Sequence, residues 1–266
     1  MASQVALVEC NGGVLEAFNQ ALTLIGDIAD LNTAEKSAVI KVGVFKHKGP
    51  RLNCPTVGVV SAITNSFTNA PQIYLAESDN YKGTGSERLQ IYKDLFTKRV
   101  VPYNLSDDTE TREVPIAGEK MNFSHILFKP NVLISTHGLR RYDKGTILKN
   151  LFGLIPERKK ARLHKKLVSV LLDTYEAVGG IDLAVLDATR TYSGPAARRS
   201  SDTNVLVVGR DAVAVEAVGA TLVGMKPDKM PVIQEAMKRG LGEGNLDEIE
   251  IVGTPIESIK ERFQSL

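Results

Sequence analysis

Apolar and polar positions along this chain fall into a regular succession of short strands and amphipathic helices. Gln4 to Val8 alternates as a strand. After the Asn11-Gly12-Gly13 turn, Leu15, Phe18, Leu22, Ile25 and Ala29 recur at three- and four-residue spacing, which predicts a helix with one apolar face. Ala38 to Phe45 reads as a second strand, the polar turn HKGPRLNC follows, and Pro55 opens a helix running to about Phe67. Gln72 to Glu77 is a third strand, and the loop SDNYKGTG leads into a helix from about Ser86 to Phe96. The order βαβαβα predicts a mostly parallel sheet with right-handed crossovers, covered by helices on both faces. Residues 100–130 change character to short alternating runs, REVPIAG and MNFSHILFK, which predict a small antiparallel excursion, a lobe or a lid.

The second half resumes the pattern. Val132 to Thr136 is a β-branched run suited to a buried parallel strand, and Lys159 to Val178 carries Leu163, Leu167, Val170, Leu171, Thr174 and Val178 on one face of a predicted long helix ended by Gly179-Gly180. Ile181 to Leu186 and Val205 to Val208 are strands. Asp211 is an expected N-cap for the apolar helix AVAVEAVGATLVG; a helix over Pro231 to Arg239, the strand EIEIVG and a helix from Ile256 close the chain. No repeat or flexible linker interrupts residues 1–266, so the reading is one α/β domain.

Composition narrows the class. A chain of 266 residues, 43% hydrophobic and 24% charged, is globular rather than disordered or fibrous. A net charge of +2 and sparse aromatics argue against nucleic acid as a partner. Cys10 and Cys54 are too few for an iron–sulfur cluster and lack zinc-site spacing, which favours two reduced thiols. MASQVALVEC has neither the basic nor the apolar region of a signal peptide, and the most apolar window, Val205 to Gly224, is broken by Arg210, Asp211 and Glu216. The expectation is a cytoplasmic protein with no membrane span.

Candidate chemistry concentrates between Val132 and Lys166. From residue 137 to 166 there are ten Lys/Arg and two acids, a balance suited to a small carboxylate or phosphate. His137 ends a predicted buried strand, where open α/β sheets bind ligands, and can act as general acid or base; the plainer reading is a histidine satisfied by a backbone carbonyl. Lys149 stands in the apolar stretch KGTILKNLFG, which lowers a lysine's pKa and suits an amine nucleophile, a tether or an anion binder, against a lysine that snorkels out of a short helix. Asn150 beside it can orient a ligand or serve as a cap. His164 borders the buried face of the long helix as a second base, a metal ligand or a structural histidine, and Lys160, one helical turn before it, points inward with it. Glu77 and Asp79 end the third strand. The Gly83-Thr84-Gly85-Ser86 turn could present amides to an anion or be an ordinary turn capped by Ser86. Asp187, at another strand end, faces the same crevice as an acid or ligand, or anchors the Thr189 to Tyr192 turn.

Four stretches carry a resemblance to a known family: AESDNYKGTG, the STHGLRRYDKGTILKNLFGLIPERKKARLHK block, DLAVLDATRTYSGP and GRDAVAVEAVGATLVGMKP. Over about Ser37 to Glu257 the chain resembles the uncharacterised domain of unknown function 362. Many relatives carry ferredoxin-like iron–sulfur modules, whose cysteines this chain lacks; the resemblance therefore implies a separate redox protein as partner rather than a cluster of its own. The order of His137, Lys149, FGLIP and His164 is also similar to the catalytic segment of nickel-pincer lactate racemases. That likeness implies His137 as the proton-exchanging base, Lys149 as the tether of a cofactor and His164 as a metal ligand. Together these readings point to an enzyme transferring a proton on a small carboxylate- or phosphate-bearing substrate, with a metal or tethered cofactor as its implied partner. The alternative is a non-catalytic metal or cofactor carrier serving an iron–sulfur redox partner.

Overall fold

The computed structural model describes residues 2–48, 53–128, 130–194 and 199–264. Ten strands are formed: β1 (Ser3–Glu9), β2 (Ala38–Val42), β3 (Ile73–Glu77), β4 (Val100–Asn104), β5 (Thr111–Ile116), β6 (Glu119–Ser124), β7 (Val132–Arg141), β8 (Leu183–Ser193), β9 (Ser200–Gly209) and β10 (Ile249–Gly253). The α-helices are α1 (Val14–Leu24), α2 (Val57–Ser66), α3 (Gly85–Leu89), α4 (Ile147–Asn150), α5 (Leu167–Ala177), α6 (Ala212–Leu222), α7 (Pro231–Lys238) and α8 (Ile256–Ile259). Of the polar turn after β2, residues 49–52 lie outside the described residues.

Eight strands build one sheet in the order β10-β1-β9-β8-β7-β2-β3-β4. Every neighbouring pair is parallel except the two made by β9, which runs antiparallel to β8 and to β1. The sheet is therefore mostly parallel, as the alternation of strands and helices predicts. The antiparallel element of the main sheet is β9 rather than anything in residues 100–130. Within that stretch β4 is a parallel edge strand, and β5 and β6 form a separate antiparallel hairpin.

Period-two alternation sends side chains to two cores. Val5, Leu7, Val39, Leu133, Ala184 and Leu186 join the core beneath α4 to α8 and the hairpin. Ala6, Val8, Ile40, Val42, Ile134 and Val185 join the other, beneath α1 and α2. The hairpin buries Val114, Ile116, Met121 and Phe123 in the first core, and Asp173 of α5 accepts the Ala117 amide at 2.7 Å. It is thus docked on α5.

Two predicted helices are shorter than their apolar patterns. Residues 159–178 do not form one helix: a 3-10 turn over Ala161–Lys166 precedes α5, and Lys166 at φ −121°, ψ 31° breaks the two apart. Six Lys and Arg within residues 158–166 crowd any continuous helix there with like charge at i,i+4. Beyond α3 the chain tightens into a 3-10 turn over Gln90–Leu95, where the Tyr92 hydroxyl donates to the Pro55 carbonyl at 2.8 Å. By contrast, the Asp211 cap forms as expected, accepting the amides of Val213 and Ala214.

Candidate functional site

The chain runs β2, β3, β4 outward to one edge and returns through β7 on the opposite side of β2. The reversal opens a crevice at the carboxyl ends of β2, β3 and β7, the place where open α/β sheets bind ligands. A cavity of about 330 Å³ lies there, lined by residues of these strand ends and of the 147–164 segment, including Lys41, Glu77, His137, Arg140, Lys149 and Lys160.

Its floor is an ionic cluster buried under the sheet end. Glu77, 3% exposed, meets Lys41 Nζ at 3.1 Å and Arg88 at 3.2 Å, and accepts the Val44 and Ser78 amides at 3.1 and 3.0 Å. Burial alone would raise the Glu77 carboxyl, but Lys41, Arg88 and Lys160 hold it below the usual carboxylate value. Arg88 is committed, donating to the carbonyls of Val44 and Ser78. Asn150 closes the floor: its Oδ1 accepts from Lys41 Nζ at 2.9 Å, while its Nδ2 reaches the Lys41 carbonyl, Ser135 Oγ and the Thr136 carbonyl. Asn150 therefore holds α4 to the sheet rather than facing a ligand with a free amide.

Among the described residues one acid answers six cations around this cavity: Lys41, Arg88, Arg140, Lys149, Arg158 and Lys160. Glu77 neutralises the deep ones. Arg140 forms no ion pair among the described residues; its guanidinium lies 4.8 Å from the Tyr142 ring, its Nε is buried without a hydrogen bond, and the Glu216 carboxylate acts on it only at longer range. Burial pushes Arg140 down to about 10, which leaves it cationic near neutral pH. Arg140 thus lines the cavity as a half-buried cation without a contact ion pair among the described residues.

His137 is 5% exposed, on the same sheet face as Lys41 and Ser135. Its Nδ1 is 2.8 Å from the Gly138 carbonyl. That oxygen can only accept, so in the neutral ring Nδ1 carries the hydrogen and Nε2 keeps its lone pair. Burial first, then the charge of Arg140, hold the ring well below its ordinary value, so it is neutral in the physiological range. The neighbouring strand makes room with Gly43, where an added Cβ would lie 1.9 Å from His137 Cδ2.

Lys149 projects from α4, and an acid outside the cavity positions that helix. Glu216, 2% exposed in the apolar α6, accepts the Thr146 amide at 2.8 Å and the Leu148 amide at 2.8 Å, capping the first turn of α4. Gly145, at φ 86°, lets the chain turn where an added Cβ would lie 3.1 Å from the Glu216 carboxylate. Lys149 Nζ sits 3.9 Å from the Phe152 ring centroid and makes no hydrogen bond or ion pair among the described residues. Burial, then Arg140 and Lys160, push the Lys149 amine down to about 7. Lys160 is also pushed down to about 7, by burial, but it donates to Ser78 Oγ at 2.6 Å and has Glu77 nearby. Lys160 points inward from the residue preceding a 3-10 turn, not through a helical i+4 relation to His164.

His164 stands at the mouth, edge-on to Phe152 with 4.8 Å between ring centroids. It also lines a larger open groove of about 860 Å³ with Lys144, Lys226 and Met230. We place the site in the smaller cavity because that is where the buried base, the unpaired amine and the unpaired guanidinium converge. Burial, with Lys149 next, lowers the His164 ring as well. Among the described residues no group of three or more His, Cys, Asp or Glu is placed to hold a metal ion. Among the described residues His164 therefore lacks the two further His, Cys, Asp or Glu ligands that would complete a three-ligand metal set.

The remaining candidates lie elsewhere. Asp187 is turned away from the crevice and accepts the Thr56 amide at 2.6 Å and the Thr189 hydroxyl at 2.6 Å, anchoring the start of α2 and a bulge in β8. Asp79 accepts the Gly85 amide and the Asn104 side chain, both at 2.9 Å. The Gly83 amide goes to the Asn80 carbonyl, and Thr84, not Ser86, caps α3 through a reciprocal pairing with Glu87. The Gly83, Thr84 and Gly85 amides of the turn are taken by Asn80, Glu87 and Asp79, and Ser86 is exposed outside the cavity. No described residue of 100–130 lines the cavity; the hairpin packs on α5 instead. Sequence reasoning passed over Lys41, Arg88, Arg140 and Glu216. For Lys41 and Glu216 the signal is there: a single charge inside an apolar strand, AVIKV, and a single carboxylate inside an apolar helix, AVAVEAV.

No helix among the described residues is long and apolar enough to cross a membrane. No curated protein matches this sequence, so nothing supports the racemase likeness beyond the order of His137, Lys149, FGLIP and His164. A family match, to the Domain of unknown function (DUF362), spans residues 39–221. This span is more than half of the chain and includes every residue lining the cavity; the protein therefore belongs to the DUF362 family.

Proposed function

We propose that the cavity binds a small carboxylate- or phosphate-bearing molecule and that His137 moves a proton on it. The observation that carries this reading is the pairing of a buried neutral imidazole, its Nδ1 tied to the Gly138 carbonyl, with the Arg140 guanidinium, which has no contact ion pair among the described residues, in one cavity. Arg140, with Lys160, attracts and orients the anion. His137 Nε2 then takes a proton from the carbon beside the anionic or carbonyl group and returns it, the step of a racemase, epimerase or tautomerase. The Gly138 hydrogen bond fixes the ring for that exchange and stabilises the imidazolium once formed. His164, which also lines the cavity, would serve as a second base.

The test follows the carbon-bound proton by NMR in deuterated buffer, with 2-hydroxy acids, 2-oxo acids and phosphorylated ketones supplied in turn. The wild type is expected to wash out the proton of one class, and His137→Gln to lose the exchange while that ligand still raises its melting temperature. Ligand stabilisation with no exchange in the wild type would sink the catalytic reading and leave a carrier. No stabilisation by any of these anions would remove the anion site itself.

A further inference from the structure

We infer that Lys149 is an imine-forming amine and that the cavity's substrate is a small anion bearing a ketone or aldehyde, a deepening that rests on the anion-binding, proton-transfer reading above. Three lysines reach this cavity, and their partners separate them. Lys41 Nζ is surrounded by oxygen, with the Val42 carbonyl at 3.0 Å, Asn150 Oδ1 at 2.9 Å and Glu77 at 3.1 Å. Lys160 has Ser78 Oγ at 2.6 Å. Lys149 faces only the Phe152 ring at 3.9 Å, and no oxygen accepts from it among the described residues. A half-buried ammonium with no protein acceptor among the described residues is costly, and the cations Arg140, Lys160, Lys144 and Lys41 make it costlier. The neutral amine escapes both penalties and exposes a nucleophilic lone pair. A structural or purely anion-holding lysine would gain from the ionic partners that this one lacks.

The neighbouring groups supply the rest of the step. Arg140 offers the anionic group of a substrate a cation, which leaves its carbonyl carbon toward Nζ. The Nζ lone pair forms a bond to that carbon, the carbonyl π pair moves to oxygen, and the proton released from nitrogen and the one taken up by oxygen balance to a carbinolamine. Protonation of its hydroxyl expels water and leaves an iminium. His137 Nε2 then removes a proton from the adjacent carbon to give the enamine, with the iminium nitrogen as electron sink. Reprotonation and hydrolysis return the lysine and the carbonyl compound, and no redox partner is consumed.

The test is reductive trapping of the whole chain with cyanoborohydride near neutral pH, offering pyruvate, 2-oxoglutarate and dihydroxyacetone phosphate separately. The expected result is a single adduct on the peptide containing Lys149, with the mass of the carbonyl compound less one oxygen. At neutral pH an amine titrating near 7 is neutral on the order of 10³ times more often than an exposed lysine, so Lys149 should be labelled first. Whichever compound is trapped decides between the 2-oxo acids and the phosphorylated ketone. Lys149→Arg, which keeps the charge, should lose the adduct yet still be stabilised against heat by lactate or glycerol phosphate. Adducts spread over exposed lysines, or formed on Lys160, would overturn the imine. Stabilisation by the carbonyl-free anions with no trapping would overturn it while leaving the anion site standing, and absence of both would overturn the two together.

Discussion

Replacing Lys149 with methionine should make the protein more stable near neutral pH, and the gain should shrink as the pH rises. The Lys149 amine titrates at about 7 in the folded chain, against an ordinary value of 10.5. Between these values the unfolded chain binds a proton that the folded chain does not, so stability rises with pH across that window. Below about pH 7 the folded protein carries the charged, acceptor-less amine and its penalty in full. From about pH 7 to 9 the wild type should recover about 2 kcal/mol, the integral of that proton difference at 1.36 kcal/mol per unit. Methionine keeps the unbranched chain and its contact with Phe152 but cannot titrate. Urea unfolding of both proteins at several pH values reads the difference directly, and Lys160, which titrates in the same range, is present in both and cancels. Curves that stay parallel from pH 6 to 9 would show that the amine is not held neutral, and the nucleophile argument would fall with them.

Glu77→Gln leaves Lys41, Arg88 and Lys160 facing one another without an acid, and should destabilise the chain by about 3–5 kcal/mol in denaturant unfolding. Gly43→Ala drives a methyl group into His137 and should cost about 1–3 kcal/mol and abolish proton exchange; a variant that still exchanges at the wild-type rate would place the base elsewhere. Glu216→Gln weakens the capping of Thr146 and Leu148 and should lower stability by about 1–3 kcal/mol, with faster amide exchange confined to residues 145–150. Arg140→Gln should weaken anion binding at least about tenfold by calorimetry, and added salt should weaken it further in the wild type.

What the sequence determined by itself is what depends on short-range pattern. Period-two and helical spacing located the elements and the mostly parallel sheet. Val132 to Thr136 marked a buried strand, although β7 runs on past His137 to Arg141 instead of ending there, and an apolar surround marked Lys149 as a lysine out of place. Turn and cap chemistry was half legible: Asp211 caps as written, whereas Ser86 yields to Thr84 because only Thr84 has Glu87 at the reciprocal position. The direction of β9 and the break at Lys166 were decided by tertiary pairing and by charge crowding, which periodicity does not register. The partners of each polar side chain were decided there as well. Asp187 looked like a crevice acid until the Thr56 amide, 131 residues away in sequence, proved to be its partner. Glu216 looked like a lone charge in an apolar helix until α4 came to rest on it, 70 residues distant. A buried charge is defined by what neutralises it, and those partners come from distant segments. The sequence could therefore name the groups able to do chemistry, but only the fold separates Lys149, left without an acceptor, from Lys41 and Lys160, which have one.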